Sequence, residues 1–364
     1  MISILVKPAS GNCQLACDYC FYLDEVKRRV LGNFDLMSIS VLENMIKKVF
    51  SIAKHSVNIA FQGGEPLLAG LDFFENYIEL IDKYNVRNLP VNHALQTNGI
   101  LLDAEYANFF KKHDFLLGVS LDGPKNIHDA YRIYPNKKSS FDQVMKGINF
   151  LREADVPFNI LTVVTNKLSD NVSEADTFFK KEDFKYHQYI PCIQPQKVNL
   201  GQELFLDADH YGKFLCESFD LWYKDFMAGL VSYNRHFDNW LGMLLGIMPE
   251  QCGMSGHCNP QLVIESNGNA YPCDFYCSDK YCLGSILNKS LSDLVSSEIA
   301  KNFLRESLKI EPQCQQCKWS SICRGGCRRY RDGNSGEIGL NVFCSAYKKF
   351  FNYAIDRMLA IVNR

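Results

Sequence analysis

The sequence lacks both a strong excess of charge and a long hydrophobic run. Its 39 basic and 41 acidic side chains leave a formal charge of −2, which gives no electrostatic reason to expect a nucleic acid as partner. No stretch approaches the roughly 18 apolar residues that a membrane span needs. The apolar run after Met1 is too short for a secretory signal and lacks a basic leader. These absences predict a cytoplasmic protein with neither a membrane nor a nucleic acid as partner.

The chain also contains no repeat of fixed period and no low-complexity linker. With 364 residues, 47% of them hydrophobic, it can build a large core without covalent cross-links. Disulfide frameworks are usually short and secreted, so they explain its fifteen cysteines poorly. Metal or redox chemistry in a reducing compartment explains the cysteines better.

Eleven of the fifteen cysteines fall into two groups. Near the N-terminus, Cys13, Cys17 and Cys20 are spaced C-x3-C-x2-C. Three thiolates leave one iron of a [4Fe–4S] cluster without a protein ligand, and a small molecule can bind there. The spacing therefore predicts a reactive cluster rather than an enclosed one.

The second group lies in the last third of the chain. Its eight members are Cys252, Cys258, Cys273, Cys314, Cys317, Cys323, Cys327 and Cys344. Eight thiolates are enough to ligate two further clusters completely. Structural zinc is the alternative for the C-x2-C pair within this group. Four cysteines fall outside both groups and are interpreted as buried or incidental thiols: Cys192, Cys216, Cys277 and Cys282.

The first 230 residues alternate short β-like runs with amphipathic helical stretches. The predicted strands are Ser3–Val6, Ser56–Phe61, Val91–Gln96, Leu116–Leu121, Phe158–Val164 and Gln188–Ile193. The predicted helices are Ser38–Lys54, Leu71–Tyr84, Asp103–Lys112, Phe141–Glu153 and Val172–Lys181. This alternation predicts parallel strands joined by right-handed crossovers, in an α/β barrel or a doubly wound sheet. The pattern alone does not separate the two.

Cysteine density divides the chain, with four cysteines in the first 200 residues and eleven in the last 164. We therefore predict one domain over residues 1–240 and a second over residues 241–364. The second begins with a hairpin made of Gln261–Glu265 and Ala270–Cys273 and closes with a helix from about Ser345 to Val362. Its sparse apolar patterning indicates a domain organised around metal clusters.

Several motifs carry a resemblance to a known family. The N-terminal cysteine motif, with Tyr19 before its last cysteine, resembles the radical S-adenosylmethionine superfamily. The downstream cysteine order resembles the SPASM-type auxiliary-cluster domain of that superfamily. Closer still, four strings are similar to the anaerobic sulfatase-maturating enzymes: Gln62-Gly-Gly-Glu-Pro66, Gln96-Thr-Asn-Gly99, Ser120-Leu-Asp-Gly-Pro124 and Cys273-Asp-Phe-Tyr276. The resemblance covers nearly the whole chain. It implies a partial (β/α)6 barrel with a C-terminal, cysteine-rich SPASM-type iron–sulfur domain.

The resemblance also implies three [4Fe–4S] clusters and bound S-adenosylmethionine. Cys13, Cys17 and Cys20 would hold the reactive cluster. The first auxiliary cluster would take Cys252, Cys258, Cys273 and Cys327, and the second would take Cys314, Cys317, Cys323 and Cys344. The family positions that contact S-adenosylmethionine match Tyr19, Gly64, Ser120, Arg132 and Ile193. The sequence itself does not say how the eight downstream cysteines are divided, and a sequential split is the simpler alternative.

Asp274 is the predicted catalytic residue, because the matching aspartate of the family is the proton acceptor. An aspartate beside a cysteine ligand can also simply cap a turn. Tyr22 and Gln62 are predicted to lie around the substrate. The glycines of the Gly63-Gly64 pair lack a Cβ, which lets the backbone approach a ligand closely.

The implied activity is oxidation of a cysteine or serine side chain in a sulfatase to Cα-formylglycine. A 5′-deoxyadenosyl radical would remove a Cβ hydrogen, Asp274 would take the heteroatom proton, and an external donor of flavodoxin or ferredoxin type would supply electrons. The substrate would be an unfolded or peptide segment of the sulfatase. The alternative enzyme is a SPASM maturase that forms thioether or carbon–carbon bonds in, or epimerises, a ribosomally made peptide. The alternatives from other classes are a non-enzymatic electron carrier and a zinc-binding interaction module.

Overall fold

The structure is a computed structural model that describes residues 1–30, 32–195, 204–230, 232–332 and 337–363. Strands and helices alternate along the first two thirds of the chain. The strands are β1 (Ile2–Lys7), β2 (Val57–Phe61), β3 (Val91–Thr97), β4 (Phe115–Ser120), β5 (Phe158–Val164), β6 (Tyr186–Pro191), β7 (Tyr233–Asn234), β8 (Leu262–Glu265), β9 (Asn269–Tyr271) and β10 (Gly284–Ser285).

The helices range from single turns to five turns. They are α1 (Phe21–Lys27), α2 (Ile39–Ile52), α3 (Leu71–Tyr84), α4 (Ala104–Lys112), α5 (Lys125–His128), α6 (Phe141–Glu153), α7 (Asn166–Asp170), α8 (Val172–Lys181), α9 (Ala208–Met227), α10 (Arg235–Leu244), α11 (Leu291–Val295), α12 (Glu298–Ser307), α13 (Pro312–Gln315), α14 (Ser320–Cys323) and α15 (Cys344–Val362). No helix among the described residues is long and apolar enough to cross a membrane.

The six predicted strands and five predicted helices are confirmed, with ends that differ from the observed ones by no more than two residues. The hairpin is confirmed as β8 and β9, which pair antiparallel, and the closing helix is confirmed as α15. The sequence analysis did not predict α9 or α10. Helix α9 nevertheless has an N-cap, since the side chain of Asp207 accepts a hydrogen bond from the His210 amide.

The chain divides into two compact units, each formed by separate stretches of sequence. The first contains Met1–Ser120, Arg132–Phe158 and Pro260–Phe303, and the second contains Leu121–Tyr131, Asn159–Asn259 and Leu304–Arg364. The division of the chain at residue 240 stays a prediction.

The first unit is built on a sheet in the order β10-β9-β8-β1-β2-β3-β4. Strands β8, β1, β2, β3 and β4 pair in parallel, as the alternating pattern predicts. Alternate residues of β1 enter the core, with Ile4 and Val6 almost fully buried. Because the carboxyl ends of parallel strands meet at one edge, Lys7 and Gln62 come to the same edge of this sheet.

The second unit contains the parallel strands β5, β6 and β7 and a core of aromatic rings. Helices α9 and α15 pack closely at Gly212, where an added Cβ would lie 3.3 Å from Cα of Ala346. We call the ring cluster around them the aromatic core. Its members are Phe219, Phe237, Trp240, Phe350 and Phe351, with ring-centroid separations such as 4.8 Å between Trp240 and Phe350.

Candidate active site and iron–sulfur ligands

Residues 13–20 form a loop after β1 that carries the first three cysteines; we call it the three-cysteine loop. The Cys13 thiol accepts hydrogen bonds from the Leu15 amide and from the side-chain amide of Asn98, each 3.4 Å long. The Cys20 amide donates to the Cys17 carbonyl at 3.0 Å. Burial, together with nearby Glu65 and Cys20, raises the pKa of the Cys13 thiol to about 11, although the donors Leu15 and Asn98 oppose the shift. A positive cluster would favour the thiolates, so the donors present suit iron.

Gly64 is explained by backbone packing against the segment that precedes this loop. Its amide donates to the Ser10 carbonyl at 2.7 Å. A Cβ at Gly64 would lie only 2.0 Å from the carbonyl oxygen of Asn12. The glycine is therefore required by the contact between two backbone segments, and its predicted contact with S-adenosylmethionine stays a prediction.

Glu65 joins two of the predicted motifs near the three-cysteine loop. Its buried carboxyl group accepts hydrogen bonds from the Thr97 hydroxyl and the Asn98 amide, both at 2.8 Å, and from the Leu67 amide at 3.1 Å. Burial raises the pKa of Glu65 to about 7, although these donors oppose the shift. The Gln62–Pro66 and Gln96–Gly99 strings thus meet at one carboxyl group, which places the Asn98 side chain against Cys13.

The predicted cofactor contacts are distributed over both units. In the first unit, the guanidinium carbon of Arg132 lies 5.5 Å from the ring centroid of Tyr19, and Arg132 is almost fully buried. Ser120 ends β4 and is also buried. Ile193 follows β6 in the second unit and is half-buried.

Asp274 begins a single 3₁₀ turn, Asp274–Tyr276, directly after Cys273. Both of its carboxylate oxygens accept hydrogen bonds. The Tyr22 hydroxyl lies 3.0 Å from Oδ1 and 2.8 Å from Oδ2, and the Gln62 side-chain amide donates to Oδ2 at 2.9 Å. The structure therefore brings the predicted catalytic residue, Asp274, together with Tyr22 and Gln62, the two residues predicted to lie around the substrate.

A buried lysine that the sequence analysis missed completes this arrangement. The ammonium group of Lys7, on β1, lies 2.9 Å from Oδ1 of Asp274, 3.5 Å from Glu25 and 3.8 Å from Glu265. Arg29 makes a short ion pair with Glu265. We call these six side chains the acid–base cluster: Lys7, Glu25, Arg29, Gln62, Glu265 and Asp274. A sequence signal existed, because Lys7 and Glu265 are charged residues at the carboxyl ends of largely apolar strands.

The electrostatics of the acid–base cluster are dominated by burial. Burial disfavours the charge of Lys7, yet Asp274 and further anionic neighbours hold its pKa well above its ordinary value. Burial raises the pKa of Glu25 to about 7, with Lys7 opposing that shift. The lysine thus stays a cation at neutral pH, and its charge favours the ionised form of Glu25.

Four cysteines of the second unit line one cavity, which we call the four-cysteine pocket. It has a volume of about 160 Å³ and is bounded by Cys314, Cys317, Cys323 and Cys344 together with Trp319, Tyr347 and Phe351. Burial raises the pKa of Cys323 to about 11, and the other three thiols add to the shift. Four thiols around one cavity, with aromatic rings in its lining, fit a fully ligated iron–sulfur cluster.

Three further cysteines of the second unit also lie near one another. Burial and the neighbouring thiols of Cys252 and Cys258 raise the pKa of Cys327 to about 12. Cys273, the fourth member of the set implied by the resemblance, belongs to the first unit. The grouping within the second unit favours the interleaved division over the sequential one. No three histidine, cysteine, aspartate or glutamate side chains of the described residues form a site for a single metal ion.

The cysteines outside the pattern have separate environments. The Cys277 thiol is fully buried beside Val263 and Tyr271, and the Lys7 ammonium donates to it at 3.2 Å. Cys282 packs against that same group. In the second unit Cys192 is buried and Cys216 is half-buried on α9.

Comparison with known proteins agrees with these features. The Radical SAM superfamily matches residues 8–177, and an iron-sulfur cluster-binding domain, SPASM, matches residues 256–318. Both cysteine groups therefore lie in, or next to, segments that match iron–sulfur families. The predicted cofactors, S-adenosylmethionine with a [4Fe–4S] cluster and additional SPASM clusters, are confirmed at this level, and so is the α/β fold with its SPASM domain.

The similarity to individual proteins extends over the full chain. A cysteine-type anaerobic sulfatase-maturating enzyme of Clostridium novyi is 43% identical, with 98% of this chain and 96% of that protein covered. A serine-type enzyme of Bacteroides thetaiotaomicron is 32% identical, with 98% and 90% covered. The solved structure of anSMEcpe with bound S-adenosylmethionine and the Kp18Cys peptide has a TM-score of 0.95 at 40% identity, with 100% and 99% covered. The chain is thus a radical SAM enzyme that belongs to the family of anaerobic sulfatase-maturating enzymes.

Proposed function

We propose that this enzyme oxidises a cysteine side chain in a peptide segment of a sulfatase to Cα-formylglycine. The proposal is supported by the higher identity to the cysteine-type relative, 43%, than to the serine-type one, 32%. It is further supported by the peptide-bound relative of known structure. The observation that carries it is the Asp274 carboxylate, which is held by three donors and is 15% exposed.

When bound, the cofactors supply the one-electron chemistry that removes a Cβ hydrogen atom and carries the surplus electron away. The proposed ligands of the reactive cluster are the cysteines of the three-cysteine loop. Those of the auxiliary clusters are the two interleaved sets of four. Tyr19, Gly64, Ser120, Arg132 and Ile193 are the proposed contacts of S-adenosylmethionine, where the planar fork of Arg132 suits a carboxylate.

The remaining step is a proton transfer that this chain must perform itself. Conversion of the cysteine to a thioaldehyde breaks a C–H bond and the S–H bond, forms C=S, and removes two electrons. Loss of the Cβ hydrogen makes the adjacent thiol more acidic, so a carboxylate can accept its proton. We propose that Asp274 is this acceptor. Water then replaces the sulfur, which leaves as hydrogen sulfide and gives the aldehyde.

Tyr22 and Gln62 act in this scheme by fixing the carboxylate of Asp274. Each donates a hydrogen bond to it, and the Gln62 amide also donates to the Tyr22 hydroxyl at 3.0 Å. A fixed acceptor avoids the entropy loss of orienting a mobile one during the reaction. The substrate thiol would approach the exposed part of the carboxylate.

An external electron donor of the flavodoxin or ferredoxin type, and a cytoplasmic location, complete the proposal. Both are supported by the oxygen- and oxidant-sensitive chemistry of thiolate-ligated clusters, which suits a reducing compartment.

The test is an anaerobic turnover assay on the reconstituted enzyme. Peptides carrying Cys-x-Pro-x-Arg, its serine twin and its alanine twin are offered with S-adenosylmethionine and a reductant. We expect formylglycine from the cysteine peptide, slower or no conversion of the serine peptide, and none of the alanine peptide. Cleavage of S-adenosylmethionine without any aldehyde, or with a thioether product, would overturn the proposal.

A further inference from the structure

Lys7 is unusual because it carries a charge in a fully enclosed position. Its side chain is 0% exposed. The strand that carries it, Ile2–Lys7, is otherwise apolar in four of its six residues, and the neighbours Ile4 and Val6 belong to the core. An isolated buried ammonium group is strongly destabilising, and apolar residues of similar volume often serve stability as well as a buried ion pair does. Packing alone therefore gives no reason for a lysine at this position.

The contacts of the ammonium group indicate its role. It lies 2.9 Å from Oδ1 of Asp274, 3.2 Å from the thiol of Cys277 and 4.2 Å from the ring centroid of Tyr22. Glu25 and Glu265 are farther away, at 3.5 and 3.8 Å. Of the three carboxyl groups around Lys7, the closest is thus the partly exposed one, on the 3₁₀ turn.

The turn that carries Asp274 is held by the same elements. At its far end, the Cys277 carbonyl accepts a hydrogen bond from Arg29 at 2.6 Å, and the Cys277 amide donates to Glu25 at 3.4 Å. Without the Lys7 cation, the negative charge of Asp274 would lie near the carboxyl groups of Glu25 and Glu265, and one of the positive charges that offset them would be missing. Repulsion would then favour movement of the Asp274 side chain away from them.

We infer that Lys7 is a positioning residue for the reaction: its ammonium group fixes Oδ1 of Asp274, so that the carboxylate meets the substrate thiol in one orientation. The inference rests on the proposed function, in which Asp274 accepts the thiol proton. Tyr22 and Gln62 hold the other side of the carboxylate through Oδ2. The three donors together leave the group little freedom to rotate.

The effect of Lys7 on rate has two opposing components. A nearby cation makes a carboxylate a weaker base, which slows proton transfer. Fixed placement of the acceptor speeds the transfer, and misplacement by about 1 Å can reduce a rate about 100-fold. The inference holds that placement dominates, so loss of the lysine slows the reaction instead of accelerating it.

The test is a double-mutant cycle on the reconstituted holoenzyme with the cysteine peptide. The variants are Lys7→Met, Asp274→Asn and the two combined. We expect Lys7→Met to lower kcat about 100-fold and to leave KM for the peptide within about twofold, because the enclosed ammonium group does not reach the peptide. In the Asp274→Asn background the same change should have an effect of less than about threefold, since there is no carboxylate left to position.

The matched control is Lys48→Met in the same unit. Lys48 also joins separate segments, through its contacts with the carbonyl groups of Ile286 and Lys289, but it lies outside the acid–base cluster. We expect its kcat to stay within about twofold of wild type. If Lys7→Met fails to fold, Lys7→Met with Glu25→Gln keeps the balance of buried charge, and the inference predicts the same loss of kcat.

The outcomes separate the inference from the proposed function. Wild-type enzyme that makes no formylglycine contradicts the proposed function. With an active wild type, the inference is overturned by unchanged or faster turnover in Lys7→Met. It is also overturned by a loss that multiplies fully with that of Asp274→Asn, because a merely structural lysine would act independently of the carboxylate.

Discussion

The two groups of cysteines in this enzyme, the three-cysteine loop and the four-cysteine pocket, have different surroundings. The three-cysteine loop is surrounded by hydrogen-bond donors and charges, including Asn98, Glu65 and Arg132. The lining of the four-cysteine pocket is mainly apolar and includes the rings of Trp319, Tyr347 and Phe351, although Arg324 and Lys348 also contribute to it. Polar surroundings suit a cluster that binds and activates a charged ligand, whereas a mainly apolar lining suits one that only transfers electrons. The side chains around a cluster therefore indicate its function in addition to the number of its cysteine ligands.

The largest effects are expected from replacing one cysteine in each region by alanine. Cys17→Ala should abolish both cleavage of S-adenosylmethionine and peptide oxidation, because the reactive cluster would lose one of its three proposed ligands. Cys317→Ala should leave cleavage of S-adenosylmethionine measurable while peptide oxidation falls below detection. Iron content, 5′-deoxyadenosine and peptide mass are measured together on the same preparations. Equal loss of 5′-deoxyadenosine in both variants would remove the functional distinction between the regions.

Phe351→Ala tests how much the aromatic packing beside the four-cysteine pocket contributes to stability. Phe351 is fully buried and contacts the rings of Trp240 and Trp319 at centroid separations of 5.3 and 5.6 Å. Removal of such a ring costs about 3–5 kcal/mol in the free energy of unfolding. Asn352→Ala, at an exposed site on the same helix, should change that free energy by less than about 0.5 kcal/mol. Chemical denaturation measures both, and similar midpoints for the two variants would contradict the packing account.

One buried group in each of the two units should make stability respond to acid in opposite directions. Burial lowers the pKa of His236, in the second unit, from 6.5 to about 4. As the pH falls from 6.5 towards 4, the unfolded state binds a proton first, and up to about 3 kcal/mol of stability is lost. Burial raises the pKa of Glu65 from 4.5 to about 7. Its stabilising contribution is complete below pH 4.5 and is lost as the pH rises through 7.

Unfolding free energies measured between pH 7 and 4.5 test these signs. His236→Gln should make the loss of stability on acidification shallower than in wild type, and Glu65→Gln should make it steeper. Parallel pH profiles for the two variants would mean that neither group titrates as the structure indicates.

The smallest effect is expected at an exposed lysine, as a contrast to Lys7. Lys83 pairs with Glu43 at 2.7 Å, but both side chains are substantially exposed. Because water and salt screen such a pair, Lys83→Met should leave the denaturation midpoint and peptide oxidation unchanged within error. A clear loss in either would contradict the claim that burial gives Lys7 its importance.

The sequence was most informative where chemistry depends on local spacing. The C-x3-C-x2-C motif, the strand and helix patterns and Asp274 beside Cys273 are all features of short segments, which a reader can recognise from sequence alone. The acid–base cluster depends instead on tertiary pairing. Lys7 meets Asp274 only because β8 pairs in parallel with β1, and the two residues are 267 positions apart. Helix α9 was missed because it carries none of the recognised motifs, and its one cysteine, Cys216, falls outside both cysteine groups.

The most direct test of the account compares wild type, Asp274→Asn and Asp279→Asn in anaerobic turnover of the cysteine peptide. Asp279 is a nearby exposed aspartate whose side chain accepts a hydrogen bond from the Val30 amide. We predict that Asp274→Asn still cleaves S-adenosylmethionine but makes formylglycine about 10²–10⁴-fold more slowly, while Asp279→Asn matches wild type. Formylglycine made by Asp274→Asn at the wild-type rate would contradict the assignment of Asp274 as the proton acceptor.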